Sequence, residues 1–243
     1  MPNWIEHVHE PDRLLLAWQA PDPMGDRQRW AVGELTRAGD DARLRYFAGE
    51  EFGAHNFDQS FEKLKALGYR GYPAFPPEPG LVHENNVLEA FMRRLPPRNR
   101  SDFDRYRDHL RLRPEAEISN FALLGLSEAQ LPSDGFSVVD PLSGDVKRCE
   151  LISELAGYRY YAREHPQPDL GQPVDLVPEP ENAFDPNAIM VRLGDGKLGY
   201  INRIQAPAIL EWIAQGRASA VVERLNGRPD RPRAFIYLVA AEA

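Results

Sequence analysis

The chain has 243 residues, of which 42% are hydrophobic and 27% are charged, and this balance excludes a disordered or fibrous protein. The 22 prolines favour short strands and turns over long helices. A single cysteine, Cys149, excludes an internal disulfide framework and a cysteine-based zinc site.

No segment of the sequence approaches the roughly 18 consecutive apolar residues that a membrane-spanning helix needs. The opening residues, MPNWIEHVHEPD, lack the basic and apolar regions of a signal peptide. We therefore expect no membrane association and a cytoplasmic location.

The net charge of -8 opposes nucleic-acid binding, because Lys and Arg supply the contacts to phosphate. Most of the acidity lies in residues 1–147, which carry 18 Lys and Arg against 24 Asp and Glu, whereas residues 148–243 carry 11 against 13. Two segments are basic: residues 93–113 hold eight Arg and three Asp, and residues 217–233 hold five Arg and two carboxylates. Such runs often form solvated faces, so they support a nucleic-acid site without establishing one.

The sequence pattern of the first half predicts an antiparallel meander of three strands, followed by short helices and proline-rich loops. A further strand precedes the turn-forming residues Ser143, Gly144 and Asp145, where we place a domain boundary. The predicted strands of the meander cover residues 14–18, 29–35 and 42–47, and the predicted helices cover residues 61–68, 86–95, 102–112 and 114–126.

The second half alternates more clearly between apolar and polar residues, which is typical of strands. We predict a tight hairpin connection at residues 194–197, a short helix between Pro207 and Gly216, and an arginine-rich loop at residues 226–233. Several strands around one short helix suggest a small, partly closed β-barrel of the kind that binds single strands. The predicted strands cover residues 174–177, 188–193, 198–201, 218–225 and 234–241.

Residues 179–203, EPENAFDPNAIMVRLGDGKLGYINR, contain an acidic Pro-x-Asn turn, an aromatic residue followed by Asp-x-Asn-Ala, a buried strand and a Gly-aromatic-Ile return. Together with GYRYY at residues 157–161, which resembles an opening strand, they resemble the signature of the HIRAN domain over about 95 residues. The resemblance implies an OB-like barrel that captures the 3′ end of single-stranded DNA. We therefore predict an α+β fold of two domains, with an N-terminal α+β domain at residues 1–145 and a HIRAN-type OB-like domain with one or two short helices at residues 146–243.

By motif position, the resemblance implies that Tyr160 and Phe184 sandwich the terminal base, since every base has a face on which an aromatic ring can stack. Asp185 would accept a hydrogen bond from the terminal 3′-hydroxyl. A phosphate at that end would be repelled by the same carboxylate, so the resemblance implies a preference for unmodified 3′ ends.

The same resemblance assigns Arg159, Tyr200 and Arg203 to backbone phosphates, where cationic and hydroxyl donors belong. It also implies that Phe235 completes the wall of the pocket. Phe184 stands where tyrosine is common, and Tyr200 stands where family members can carry histidine. Stacking survives both changes, whereas one phosphate contact is put in doubt.

From the residues alone, plainer interpretations remain open. Phe184 could be a core aromatic, and Asp185 could satisfy backbone groups of its own turn. Because Arg159 and Tyr160 alternate along the predicted strand, one of them could face the core or plain solvent.

The first half has a partial resemblance of its own. Residues 29–52, RWAVGELTRAGDDARLRYFAGEEF, and residues 91–100, FMRRLPPRNR, resemble the N-terminal, non-kinase subdomain of HipA-type toxin proteins. Because the kinase portion has no counterpart here, the resemblance implies recognition or scaffolding and not phosphotransfer.

No glycine-rich phosphate loop or other known catalytic motif is visible, so we expect no enzyme and no cofactor. The neighbouring carboxylates Glu179, Glu181 and Asp185 could hold a divalent ion as in metal-dependent nucleases, and this alternative stays open. His7 and His9 could ligate zinc, but histidines near a chain start more often belong to a polar tail, so we predict no metal site.

The leading hypothesis is a non-enzymatic protein that captures single-stranded DNA 3′-hydroxyl ends in DNA repair or processing. The arginines of residues 93–113 could extend the path of the DNA, and the N-terminal domain could hold a protein partner. The alternatives are a protein-interaction adaptor without nucleic-acid binding and a metal-dependent nuclease.

Overall fold

The computed structural model describes residues 3–21, 28–131, 134–163 and 167–242. Helices and strands are mixed within it, as predicted for an α+β protein. In these ranges, no helix combines the length and the apolarity that crossing a bilayer requires.

The described residues contain eleven strands and seven helices. The strands are β1 (Arg13–Gln19), β2 (Arg29–Ala38), β3 (Asp41–Tyr46), β4 (Val82–His83), β5 (Phe136–Val139), β6 (Cys149–Glu154), β7 (Pro173–Pro178), β8 (Ile189–Leu193), β9 (Gly196–Tyr200), β10 (Ala218–Arg228) and β11 (Arg231–Ala240). The helices are α1 (Gly49–His55), α2 (Phe61–Ala66), α3 (Val87–Met92), α4 (Phe103–His109), α5 (Asn120–Leu126), α6 (Tyr158–Tyr161) and α7 (Ala206–Ala214).

The chain forms two compact units, each assembled from more than one stretch of sequence. A division into two independently folding domains, with a boundary after residue 145, stays a prediction. Unit 1 comprises Met1–His9, Asp104–Glu117 and Leu142–Ala243, and unit 2 comprises Glu10–Phe103 and Ile118–Pro141.

Unit 2 is built on an antiparallel five-stranded sheet with the order β4-β3-β2-β1-β5. The predicted meander is confirmed, because β1 pairs with β2 and β2 pairs with β3. Trp30 of β2 stacks on Phe52 of α1, with ring centroids 6.1 Å apart, and both side chains are buried. The buried Asn56 donates to the carbonyls of Ala31 and Phe52, so a single amide ties α1 to the sheet.

Two helices of unit 2, α2 and α5, begin at serines whose side chains cap them. The Ser60 hydroxyl accepts the N–H of Lys63 at 3.2 Å, which starts α2 as predicted. The predicted helix over residues 114–126 is wrong in its first part. The Ser119 hydroxyl caps the N–H of Ala122 at 3.0 Å, and the helix therefore begins at Asn120. The short elements α1 and β4 were not predicted.

Unit 1 contains an antiparallel six-stranded sheet with the order β6-β11-β10-β7-β8-β9. Alternate residues of β11, including Ala234, Ile236 and Leu238, are buried, as the period of two in a strand requires. Trp212 of α7 is fully buried and donates its indole N–H to the carbonyl of Ser143 at 3.1 Å. The five strands predicted between residues 174 and 241 and the hairpin between β8 and β9 are confirmed.

The two edge strands of this sheet meet. Ala156, just after β6, and Tyr200, at the end of β9, exchange backbone hydrogen bonds of 2.8 and 2.9 Å. The six strands therefore curl towards closure, as predicted for a small, partly closed barrel.

Closure at this point depends on Gly199. Its φ is +154°, and a Cβ added there would lie 2.7 Å from the carbonyl oxygen of Ala156, which is closer than real Cβ atoms approach backbone. We expect Gly199→Ala to lower the free energy of unfolding by about 1–3 kcal/mol, as other overpacked sites do. Urea unfolding measures the change, and the exposed Ser219→Ala is the control, with an expected effect within about 0.5 kcal/mol. Equal stability of the two variants would contradict the proposed role of the glycine.

Two predictions of local structure in unit 1 are wrong. GYRYY is not a strand, because Gly157 takes a φ of +78° and turns the chain into the single helical turn α6. The predicted arginine-rich loop at residues 226–233 is the end of a hairpin, in which Arg228 still pairs with Arg231. Gly227, at a φ of +93°, allows the two strands to approach each other there.

Candidate nucleic-acid interface

Helix α6 presents Arg159 and Tyr160 as neighbours on one turn. Its first residue, Tyr158, is buried, and the helix packs against β9 and β11. Tyr160 is 58% exposed, and the guanidinium of Arg159 lies 4.6 Å from the centre of its ring and donates to its hydroxyl. A flat aromatic surface with an adjacent cation is therefore open to solvent.

The turn between β7 and β8 holds Phe184 away from the protein. The side-chain oxygen of Asn182 accepts the N–H groups of Phe184 and Asp185 at 3.0 and 3.2 Å. Asp185 in turn accepts the N–H of Asn187 at 2.8 Å. Phe184 is 90% exposed, so the interpretation as a core aromatic is wrong. Local hydrogen bonds position this ring, since it has no packing to position it.

Asp185 is half-buried beside this ring. Burial raises the pKa of its carboxyl group, and the opposing effects of the Asn187 N–H and of the Arg203 charge do not cancel the increase. As the plainer interpretation predicted, Asp185 also accepts a hydrogen bond from a backbone group of its own turn, the N–H of Asn187. Its charged form is stabilised less than in water, and a further hydrogen-bond donor from a ligand would stabilise it.

Tyr200 belongs to a network of polar side chains that supports the same turn. Lys197 donates to the Tyr200 hydroxyl at 2.7 Å, and this hydroxyl donates to Glu179 at 2.9 Å. Glu179 also accepts from the amide of Asn182 at 2.9 Å. Burial alone would raise the pKa of Glu179, but these hydrogen bonds and the Lys197 charge outweigh it and lower the pKa. The network links β9 to the turn that carries the exposed phenylalanine.

The family model described as the HIRAN domain matches residues 150–240. This part of the chain is a HIRAN domain. The predicted resemblance of this part of the chain is confirmed, and because HIRAN domains are nucleic-acid-binding modules, the match indicates a nucleic acid as the kind of partner. The match does not include residues 1–149, and the HipA-type resemblance stays a prediction.

Two solved structures are similar to part of the chain. The crystal structure of the HIRAN domain of human HLTF has 22% sequence identity and a TM-score of 0.30, and it covers 38% of this chain and 77% of that chain. The crystal structure of a protein from Lactobacillus plantarum has 28% identity and a TM-score of 0.30, and it covers 40% of this chain and 99% of that chain. No protein with a curated description matches the chain.

Phe235 lies on the outer face of the HIRAN domain, on β11. Two guanidinium groups lie over its half-buried ring, that of Arg224 at 5.5 Å and that of Arg233 at 5.1 Å from the ring centre. Helix α6 packs against the same strand, so this ring and the Tyr160 turn share β11 as their support.

The structure thus connects the predicted residues in groups. Arg159 contacts Tyr160, Phe184 and Asp185 share Asn182, and the charge of Arg203 acts on Asp185. The sandwich of one base between Tyr160 and Phe184 stays a prediction. Sequence reasoning missed Lys197, whose signal was its place three residues before Tyr200 on the same predicted strand return.

The carboxylates considered for a nuclease have other partners. Glu179 is held by Asn182 and Tyr200, and Asp185 accepts from Asn187. In the part of the chain that the structure describes, no three His, Cys, Asp or Glu side chains converge as metal ligands would. The metal-dependent nuclease remains an untested alternative.

The arginines of residues 93–113 are used largely within the protein. Arg94 pairs with Asp134 at 2.6 Å, and the buried Arg107 donates to the carbonyls of Arg113 and Ala116. These internal contacts give no support to the expectation that this segment extends a DNA path.

Proposed function

We propose that this protein captures 3′-hydroxyl ends of single-stranded DNA through its HIRAN domain, as a cytoplasmic, non-enzymatic protein of DNA repair or processing. The observation that carries the proposal is that the ring of Phe184 is 90% exposed and is followed directly in the sequence by the half-buried carboxylate of Asp185.

The rings are suited to a base. An aromatic side chain that is 90% exposed buries almost no apolar surface in the folded protein, and contact with a base would remove its face from water. Tyr160 is a second exposed ring on the same domain, and bases of any sequence can stack on either. Arg159 and Arg203 bring cations to the phosphates that precede the terminal base.

The carboxylate of Asp185 is suited to a sugar hydroxyl. An ionised carboxylate only accepts hydrogen bonds, so it binds an O–H and repels a phosphate. Because burial leaves this carboxylate poorly solvated, a donor from the 3′ end would stabilise it more than it would an exposed aspartate.

The test is fluorescence anisotropy of labelled oligonucleotides that end in a 3′-hydroxyl, in a 3′-phosphate, or with only the 5′ end free. We expect the 3′-hydroxyl to be preferred, and Asp185→Asn to reduce this preference about 10- to 150-fold, since hydrogen bonds to charged groups contribute about 1.5–3 kcal/mol. The amide oxygen of the variant can still accept the N–H of Asn187, so the turn is expected to persist.

Asp195→Asn is the matched control, because it removes the same charge from an exposed turn between β8 and β9. A second readout is pH. Since the pKa of Asp185 is raised, the preference over the 3′-phosphate is present above that pKa and is lost, as pH falls, earlier than an ordinary aspartate would cause. Equal binding of both ends at neutral pH would exclude the proposal.

A cavity favours a second candidate function, the protein-interaction adaptor. Unit 2 contains a cavity of about 660 Å³, and its lining includes the buried residues Tyr46, Phe47 and Phe52. A cavity of this size could hold side chains of a partner protein. The same anisotropy measurement separates the two functions, because the absence of binding to every oligonucleotide at low salt would favour the adaptor.

A further inference from the structure

The hairpin of β10 and β11 carries a row of arginines on one face. Residues directly opposite each other in an antiparallel pair point to the same side, and every second pair shares that side. Three successive pairs on one side contain four arginines, one aromatic ring and one amide. These pairs are Arg224 with Phe235, Asn226 with Arg233, and Arg228 with Arg231, and we call them the arginine stripe.

The stripe faces away from the core of the domain. The intervening pair, Leu225 with Ala234, lies on the opposite face, and Ala234 is 1% exposed. Asn226, Arg228 and Arg231 are exposed, and half of the Arg233 side chain is accessible. A ligand could therefore reach the whole row from Phe235 to the tip of the hairpin.

Positive charge is concentrated along the stripe. Arg233 pairs with Glu154, whereas Arg228 has no ion-pair partner among the described residues. Arg224 donates to the carbonyl of His109 at 2.7 Å and to its ring at 3.0 Å, and those acceptors are neutral groups. Burial and the charge of Arg111 lower the pKa of Arg224, as expected where cations crowd together. This local excess stands out in a chain of net charge -8.

We propose that the arginine stripe binds the phosphate backbone of the nucleotides that precede the captured 3′ end. The inference rests on the proposed function, because it extends the same strand from the pocket along the hairpin. Phe235 joins the pocket to the stripe in this proposal. The resemblance implies that it completes the wall of the pocket, and its pairing with Arg224 puts it at the end of the stripe farthest from the hairpin tip.

The chemistry of the stripe fits a single strand of any sequence. The planar guanidinium group donates two parallel hydrogen bonds to phosphate, and residues two apart on one strand face recur about every 6.8 Å, so a chain of phosphates can follow the row. An aromatic ring among arginines adds stacking that does not depend on base identity.

The experiment compares oligonucleotides of 3 and 12 thymidylates, each with a 3′-hydroxyl, on the full chain at several salt concentrations. The 12-mer is expected to bind more tightly than the 3-mer. Arg228→Gln combined with Arg231→Gln is expected to weaken the 12-mer about tenfold, to leave the 3-mer unchanged and to reduce the salt slope by about 1.4, for two lost phosphate contacts. The double variant Arg43→Gln with Arg70→Gln removes the same charge from exposed positions of unit 2 and should not change the difference between the two lengths.

The outcomes separate this inference from the proposed function. If the 3′-hydroxyl preference is intact but the stripe variant binds the 12-mer as the unmodified protein does, the stripe is not a phosphate site. If the 12-mer binds through the stripe without any 3′-hydroxyl preference, capture of the end is excluded and the stripe stands.

Discussion

Phe184→Ala is expected to weaken binding of a 3′-hydroxyl oligonucleotide about 5- to 150-fold, because stacking of a base on an aromatic ring contributes about 1–3 kcal/mol. The fold should be unaffected, since the ring is 90% exposed and buries almost nothing. Tyr160→Ala, at 58% exposure, is expected to act in the same range. Anisotropy titrations measure the affinities, and thermal unfolding checks the fold.

The matched control is Leu170→Ala, which removes an apolar side chain that is 67% exposed in the same unit. If it weakens binding as much as Phe184→Ala does, general loss of surface explains the effect and the ring has no specific role. The double variant of Tyr160 and Phe184 tests the sandwich itself. Two rings on one base are expected to couple, whereas rings on different bases should give additive free energies.

Arg111→Ala is expected to lower the free energy of unfolding by about 3 kcal/mol, because it leaves a buried carboxylate without its cation. The Nε of Arg111 lies 2.5 Å from an oxygen of Glu223, whose side chain is only 3% exposed. The amide of Asn3 donates to the other oxygen at 2.8 Å and cannot neutralise the charge. Denaturant unfolding of the full chain measures the effect.

Arg113→Ala is the control for this prediction. It breaks the ion pair with Glu6, in which both side chains are about half exposed, and such pairs contribute about 0–1 kcal/mol. Adding Glu223→Gln to Arg111→Ala should recover part of the loss, since an amide is less costly to bury than a carboxylate. If the two arginine variants are equally stable, the Arg111 pair has no special structural role.

Local chemistry explains which parts of the site could be read from the residues. In the turn that carries Phe184, asparagine and aspartate side chains bond to backbone groups two or three residues away, so the pattern alone indicated the turn. The β8–β9 hairpin and the cap at Ser60 were predictable for the same reason.

Contacts between segments that are far apart in the sequence explain the two wrong predictions of local structure in unit 1. The residues YRYY favour a strand. The pairing with the sheet, however, stops at Ala156, which pairs with Tyr200, and Gly157 then turns the chain into α6. Glycine and proline at residues 226–233 suggested a loop. Pairing between β10 and β11 nevertheless continues to Arg228 and Arg231, at the tip of the hairpin.

The sequence by itself predicted the mixture of strands and helices, most strands and the turn that carries Phe184 and Asp185, because those depend on interactions between residues close along the chain. The residues alone left open whether Phe184 lies in the core, and the tertiary structure decided that its ring is exposed. Only the tertiary structure decided that Arg111 stabilises a buried glutamate and that four arginines share one face of a hairpin. Register and burial arise from contacts between distant segments, and spacing along one chain does not contain them.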